Sequence, residues 1–303
     1  MSNFKKIAIG LIAFIIIIPM IAFGYFYLKL NSMYDKNTAR EIDKKIQKVD
    51  TKDGITNILL AGVDGNHLEK GNRSDAMMIL TIDEKNNDIR LTSLARDTYV
   101  KIPGYGKEKL THAYAYGGPA LLLETIAQNF NVKIDKYAAV SFDSFEKIID
   151  TIGGVEIDVL PKEVSHIPGV DGPGKQNLNG AEALAYSRIR YADDAYHRDN
   201  RQRTVLQAAY NKLAKLSSGD LMELGNTILG YTKTNIPPME IFKLATNVLK
   251  MNSTNFAQLE FPLEGHRDGK MLNKEKGWVI LWDKEYNNEK LHKFIYDYKN
   301  YKK

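Results

Sequence analysis

The stretch Ile55-Thr56-Asn57-Ile58-Leu59-Leu60-Ala61-Gly62-Val63-Asp64 decides the fold. Its apolar run is almost unbroken, as in a strand covered on both faces, and it ends on a glycine, a valine and a carboxylate. Two further apolar runs follow at 76–82 and 89–94, and Asn86-Asn87-Asp88 turns the chain between them into a hairpin. Helical segments then enter. Pro119-Ala120-Leu121-Leu122-Leu123 opens an apolar helix just after Gly117-Gly118, and residues 142–152 form a second helix that stops at Gly153-Gly154. Residues 155–159 read as a strand, 236–249 contain a helix begun near Pro237-Pro238, and 256–261 read as another strand. After Trp282 the lysine- and tyrosine-rich end predicts a surface helix and a frayed tail. The Gly- and Pro-rich segment 161–179 reads as an exposed excursion that could act as a lid. Strands alternating with helices in this way predict a three-layer α/β/α fold, a central mixed sheet flanked by helices.

Outside that core the chain divides by composition. It has 303 residues, 44% hydrophobic and 26% charged, which excludes disorder and low complexity. A formal charge of +5 is too small an excess to argue for nucleic acid, and the two Trp and 17 Tyr are dispersed rather than interleaved with arginines. Cysteine is absent, so disulfides, zinc–thiolate sites and thiol nucleophiles are excluded. Residues 1–6 form a short tail carrying Lys5 and Lys6. Residues 7–28 are uncharged and apolar, and at about 1.5 Å per residue they reach roughly 33 Å, enough to span a bilayer. The run exceeds a cleaved signal's apolar region and predicts one N-terminal transmembrane helix. Lysines and arginines on both sides leave its orientation open on charge alone. Residues 29–53, polar and alternately charged, read as a stalk, and residues 54–303 as one domain.

Polar residues collect where these elements end. Asp64 closes the first strand and Arg73-Ser74-Asp75 opens the next, so two acids and an arginine are candidates for one sheet edge. Carboxylate oxygens suit Mg²⁺ or Mn²⁺, which take one or two protein carboxylates plus phosphate oxygens and water; turn capping is the competing reading of each Asp. The third strand runs into Arg96-Asp97. Arg188 and Arg190 fall on one face if extended and can grip one anion together. Arg198, Arg201 and Gln202, at i, i+3 and i+4, share a helix face, with Val205 and Leu206 on an apolar side. Guanidinium forks match phosphate oxygens, and Lys109 adds a point charge. No Gly-x-Ser-x-Gly elbow, Walker loop or Gly-x-Gly-x-x-Gly turn is present, and the scattered histidines lack metal-ligand spacing.

Taken in order, Asn57 to Asp64, Arg73-Ser74-Asp75, Ser93-Leu94-Ala95-Arg96-Asp97, Lys109 to Tyr114, Gly117-Gly118, Ile152 to Val155, Leu178 to Arg190 and Arg198 to Arg203 resemble the LytR-CpsA-Psr family of bacterial envelope proteins. The resemblance covers about residues 55–215. It implies a membrane-anchored, Mg²⁺-dependent phosphotransferase that takes a glycopolymer from a polyprenyl-diphosphate carrier and joins it to peptidoglycan through a phosphodiester. The domain would lie outside the membrane of a Gram-positive type envelope. By matched position, Asp64 and Asp75 would hold the metal. Arg96, Asp97, Arg188 and Arg190 would carry the catalysis, and Arg73, Lys109, Asp194, Arg198, Arg201 and Gln202 would bind the diphosphate and sugar phosphate. Ala95 and Thr111 stand where the family usually has Pro and Asn, changes that leave the charges intact. The prenyl tail needs an apolar channel, for which amphipathicity nominates Leu121, Leu122, Val205 and Leu206. Two other readings use the same residues: a metal-dependent diphosphatase that delivers the phosphoryl group to water, and a non-enzymatic envelope-binding or regulatory protein.

Overall fold

The computed structural model describes residues 27–28, 30–46, 54–64, 68, 71–189, 195–215, 231–251 and 256–302. The tail at 1–6 and most of the expected transmembrane run, 7–26, lie outside these residues, and among the described residues no helix is long and apolar enough to cross a membrane.

The three apolar runs form the strands β1 (Ile55–Val63), β2 (Ser74–Asp83) and β3 (Asp88–Leu94), paired antiparallel in sequence order. β6 (Lys136–Ser141) adds parallel to β1, β9 (Thr232–Thr234) antiparallel to β6, and β10 (Ala257–Phe261) parallel to β3. The sheet therefore runs β10-β3-β2-β1-β6-β9 and is mixed, as the sequence predicts. Side chains alternate across it. Leu59, Ala61 and Val63 of β1 meet Met77 and Ile79 of β2 in one core, while Ile58, Leu60, Leu80 and Ile82 enter another on the opposite face.

The first face is covered by α2 (Leu110–Phe130) and α8 (Lys284–Tyr296), with Leu122, Ile126, Phe130, Leu291 and Phe294 buried in the same core. α2 is two helical pieces. Gly118, at φ +63, breaks it in the left-handed region that glycine enters without strain, and Pro119 opens the second piece, where its fixed φ fits. α1 (Lys36–Lys45) packs here too, through buried Ile42, and Leu30 and Met33 are buried against Ile241. The segment read as a stalk is thus docked onto the domain over residues 30–46. The expected surface helix after Trp282 is likewise a core helix, because its Leu291, Phe294 and Ile295 stripe is buried.

On the second face lie α3 (Phe142–Thr151), α5 (Gly180–Arg188), α6 (Ala195–Leu213) and α7 (Pro238–Lys250). α5 starts with a reciprocal cap. Asn179 Oδ1 accepts from the Glu182 amide at 3.0 Å, and Glu182 Oε2 accepts from the Asn179 amide at 2.9 Å. At Gly180 a Cβ would lie 2.2 Å from the carbonyl oxygen of Glu146, so only glycine lets α5 rest on the backbone of α3. The segment 161–179 is no lid. It carries the short helix α4 (Pro161–Val164) and strand β8 (Gly174–Leu178), which pairs antiparallel with β7 (Val155–Val159). Leu178 and Ile167 are buried with Val155 and Val205, so this hairpin is packed rather than free to swing. Two small hairpins, β4–β5 (Tyr99–Ile102, Gly106–Lys109) and β11–β12 (Arg267–Met271, Trp278–Trp282), complete the described chain with α9 (Tyr298–Tyr301).

Candidate active site

The site forms where β1 ends and β2 begins. The register shifts between Gly62 and Val63, and the Asp64 amide donates to the Arg73 carbonyl at 2.9 Å. Asp64 is exposed just past the end of β1, two residues after Gly62, which together with Asp75 lines a cleft on the second side of the sheet. Arg96, leaving β3, donates from Nη1 to Asp75 Oδ1 at 2.5 Å, and its Nε lies 3.5 Å from Asp97 Oδ2. Lys109, just before α2, reaches Asp97 Oδ1 at 3.2 Å. Asp97 thus holds Arg96 and Lys109 with one oxygen each. The backbone fixes this chain of charges. The Thr98 hydroxyl donates to the Ala95 carbonyl at 2.6 Å, and the Thr111 amide donates to the Arg96 carbonyl at 3.0 Å. The Thr111 hydroxyl also donates to the Ser74 carbonyl at 2.8 Å, which ties α2 to β2. Burial disfavours the Arg96 cation, but Asp75 and Asp97 outweigh it and raise its pKa above the ordinary guanidinium value.

The cleft, its open mouth included, holds about 990 Å³ of empty space. Its floor is the sheet, with Leu60, Gly62, Ala76, Met78, Ala138 and Val140. Phe142 and Phe145 of α3 and Val205 and Leu206 of α6 form its walls. Gly62 pairs with Ala76 near the charged end, and Leu60 pairs with Met78 farther along the strands, so one end is ionic and the rest apolar. Arg188, Arg198 and Gln202 join Asp75 as its polar lining. Arg188 is the last residue of α5, exposed, with its guanidinium 4.7 Å from the Phe142 ring centre. It is helical rather than extended. Arg198 is buried and donates from Nε and Nη2 to Asp199 Oδ1 at 3.3 and 3.1 Å. Burial pushes the Asp199 carboxyl above its ordinary value, against the pull of Arg198.

The sequence-derived set is therefore brought together in part. Asp75, Arg96, Asp97, Lys109, Arg188, Arg198, Gln202, Val205 and Leu206 meet at the cleft or its charged end. Asp64 is exposed beside them, and Arg73 is exposed on the adjoining loop. Arg190 and Asp194 lie outside the described residues. Arg201 turns away: its Nε donates to buried Glu163 Oε1 at 2.6 Å and its Nη1 to the Ile189 carbonyl at 3.3 Å, making it a bolt between α6 and the 161–179 segment. A residue three positions from Arg198 sits about 60° around the helix, enough for a long side chain to take either side. Leu121 and Leu122 are also corrected, since they pack in the core on the opposite face of the sheet. Sequence reading missed Phe142 beneath Arg188 and Asp199 beside Arg198. It also missed the way Arg203 joins α6 to β3 through the Ser93 hydroxyl at 2.8 Å.

The donor set at the charged end is oxygen only. Carboxylates such as Asp64, just past the end of β1, and Asp75, near the start of β2, suit a hard divalent cation that completes its shell with water and phosphate oxygens. Among the described residues no three His, Asp or Glu side chains gather as a self-sufficient metal set.

A sequence profile of the LytR_cpsA_psr family matches residues 23–290. The chain is 36% identical over 242 residues to the polyisoprenyl-teichoic acid–peptidoglycan teichoic acid transferase TagU of Bacillus cereus, covering 77% of this chain and 76% of that protein. It is 33% identical to the corresponding transferase TagT of Bacillus subtilis strain 168, covering 72% and 73%. Among solved structures, TagT bound to LIIa-WTA superposes with a TM-score of 0.67 at 27% identity, covering 83% of this chain and 93% of that one. The crystal structure of B. subtilis TagV gives 0.68 at 27% identity, covering 82% and 99%.

Proposed function

The chain belongs to the LytR-CpsA-Psr family, and from that premise we propose that it transfers a glycopolymer from a polyprenyl-diphosphate carrier onto peptidoglycan, leaving a phosphodiester link. One observation carries the reading: a cleft walled by Leu60, Met78, Phe142, Val205 and Leu206 also carries Asp75, Arg188 and Arg198 in its lining, with Arg96 paired to Asp75. A prenyl diphosphate has the same division, a hydrocarbon tail joined to a concentrated anion. Each methylene buried in the slot contributes about 0.8 kcal/mol, so Val205, Leu206 and the two phenylalanines hold the tail.

In the transfer, the acceptor hydroxyl oxygen bonds to the phosphorus that carries the glycan. The bond from that phosphorus to the bridging oxygen breaks, prenyl phosphate leaves with the electron pair, and the hydroxyl proton is released. Such a reaction asks for positioning and for charge placed where the leaving group becomes anionic. Arg96 is fixed by Asp75 and Asp97, and Asp97 also fixes Lys109, so these cations need not reorganise as charge develops. Arg188, on its aromatic base, and Arg198, backed by Asp199, bind the diphosphate from the helical side, with Gln202 as a neutral donor and Arg73 at the rim. Asp64 and Asp75 would hold Mg²⁺ or Mn²⁺, which when bound neutralises charge on the diphosphate oxygens. Residues 7–28 would anchor the chain in the cell membrane with the domain outside, where carrier and peptidoglycan meet.

The test is incubation of the full chain, in detergent, with a polyprenyl-diphosphate glycan and peptidoglycan fragments. The expected product is glycan covalently linked to the fragments, lost on chelation and restored by Mg²⁺. Release of free glycan phosphate with no linked product would replace this reading with the diphosphatase, and undiminished turnover after chelation would remove the metal assignment.

A further inference from the structure

On the first side of the sheet, away from the cleft, α1, the β4–β5 turn and both pieces of α2 line an open groove with about 770 Å³ of empty space, its mouth included. Its wall is aromatic and exposed. Tyr105 and Tyr116 stack with ring centres 4.6 Å apart at 23°, although they remain 53% and 37% exposed, and the His112 ring lies 5.7 Å from Tyr116. Its other wall is ionic: Lys45 Nζ lies 2.7 Å from Glu41 Oε1 and 3.8 Å from Glu124 Oε2. None of these groups takes part in the transfer described above.

We propose that this groove binds the glycan strand of the acceptor, with Tyr105 and Tyr116 as the platform for a pyranose ring. This inference rests on the transferase reading and deepens it by placing the acceptor. A pyranose carries C–H groups on its faces and hydroxyl or acetamido groups around its rim. It is matched by an aromatic face beside carboxylates that accept hydrogen bonds and an ammonium that donates them. Two carboxylates against one ammonium disfavour a polyanionic chain, so the groove suits an uncharged sugar backbone rather than a phosphate-rich polymer. Position agrees with this role. Tyr116 lies about 10 Å along α2 from Lys109, and a line of contacts leads back: Tyr116 to His112, and His112 Nδ1 to Glu108 at 3.2 Å, next in sequence to Lys109. At the same helix, the Gly71 amide donates to the Ala115 carbonyl at 2.9 Å.

The experiment is saturation-transfer NMR and calorimetric titration of the full chain in detergent micelles with chitohexaose, an uncharged N-acetylglucosamine chain, and separately with a glycerol phosphate oligomer. Saturable binding of chitohexaose is expected, weakened at least about tenfold by Tyr105→Ala with Tyr116→Ala and kept by the paired Phe variants, which preserve the rings. Glu124→Gln should weaken it several-fold, and the glycerol phosphate oligomer should not compete. Binding of the prenyl-diphosphate glycan in the absence of acceptor should be unchanged in all of them, because none of these residues lines the cleft. Tyr105 sits on an exposed turn, so Tyr105→Ala alone serves if the double variant unfolds. No saturable binding by the wild type, equal binding by the Ala variants, or competition by the phosphate oligomer would each overturn the proposal. Linked product formed without chitohexaose binding would sink the platform and leave the transferase standing; binding without linked product would do the reverse.

Discussion

Arg201 looks from the sequence like a phosphate ligand and in the structure like a bolt, and the two roles separate in one set of variants. Its Nε–Oε1 contact with Glu163 is 2.6 Å, and both side chains are only 3% exposed. Glu163 Oε2 also accepts from the Leu160 amide at 2.9 Å. Arg201→Ala removes the cation and leaves the carboxylate in place. Breaking a buried pair from one side typically costs about 3–5 kcal/mol, because the remaining charge is uncompensated, and the Leu160 bond keeps the cost toward the lower end. For a domain of this size that corresponds to a fall in Tm of about 6–20 °C. Replacing both partners, Arg201→Met with Glu163→Leu, removes the charges together and should restore most of the stability.

Calorimetry and urea unfolding measure the first effect; the transfer assay on the double variant, at a temperature where it is folded, measures the second. The expected result is a destabilised single variant and a stable double variant that still transfers glycan at near wild-type rate. A stable double variant with transfer reduced a hundredfold would refute the structural assignment and return Arg201 to the substrate. A single variant as stable as the wild type would refute the buried-charge argument itself.

Arg96→Ala, which removes the cation held by Asp75 and Asp97, should lower transfer by about 10²–10³ while far-UV circular dichroism stays unchanged; near-normal rates would remove its catalytic role. Ala138→Leu extends a side chain from β6 into the slot and should raise the KM for prenyl diphosphate more than it lowers kcat; an unchanged KM would mean that the tail lies elsewhere. At Asp83, burial raises the carboxyl pKa, but hydrogen bonds from Asn86 and Arg90 overcome it and hold it below the ordinary value. Its stabilisation is therefore complete above about pH 4, the unfolded value, and lost as pH falls through the lower folded one. Acid unfolding of Asp83→Asn should show a shallower pH dependence there, and an identical profile would contradict the shift.

How much of this was legible in the sequence depended on burial. β1, β2, β3 and β6 lie in the interior of the sheet, and the first three announce themselves as apolar runs because both faces are covered. β5 reads Gly106-Lys107-Glu108-Lys109 and β9 Thr232-Lys233-Thr234; neither carries an apolar residue, so only pairing partners distant in sequence or across a turn define them. The 161–179 segment read as exposed because it is rich in Gly and Pro, yet its few apolar residues, Val164, Ile167, Val170 and Leu178, are the ones that pack. The helix after Trp282 read as surface for a similar reason: its polar majority hid a narrow buried stripe.

The site divides along the same line. Charges at strand ends, Asp75, Arg96 and Asp97, were legible because a strand's end fixes where its last side chains sit. Arg201 was misread because its partner is 38 residues away in the chain, a separation no local pattern encodes. Leu121 and Leu122 were misassigned for a different reason: amphipathicity says that a helix face is buried but not on which side of the sheet. The cleft-forming signal was present in another place. On the second face the strands offer Gly62, Ala76 and Ala138, small residues whose chain neighbours Val63, Met77 and Tyr137 are buried on the first face. A Cβ at Gly62 would already stand 3.1 Å from that of Ala76, so the floor is as low there as side chains allow. Helices crossing such a floor on Phe142, Phe145 and Leu206 cannot close down onto it, and the gap they leave is the slot. Small residues beside a cluster of charges at one strand end are therefore what builds the site, and they make it by leaving space rather than by contact.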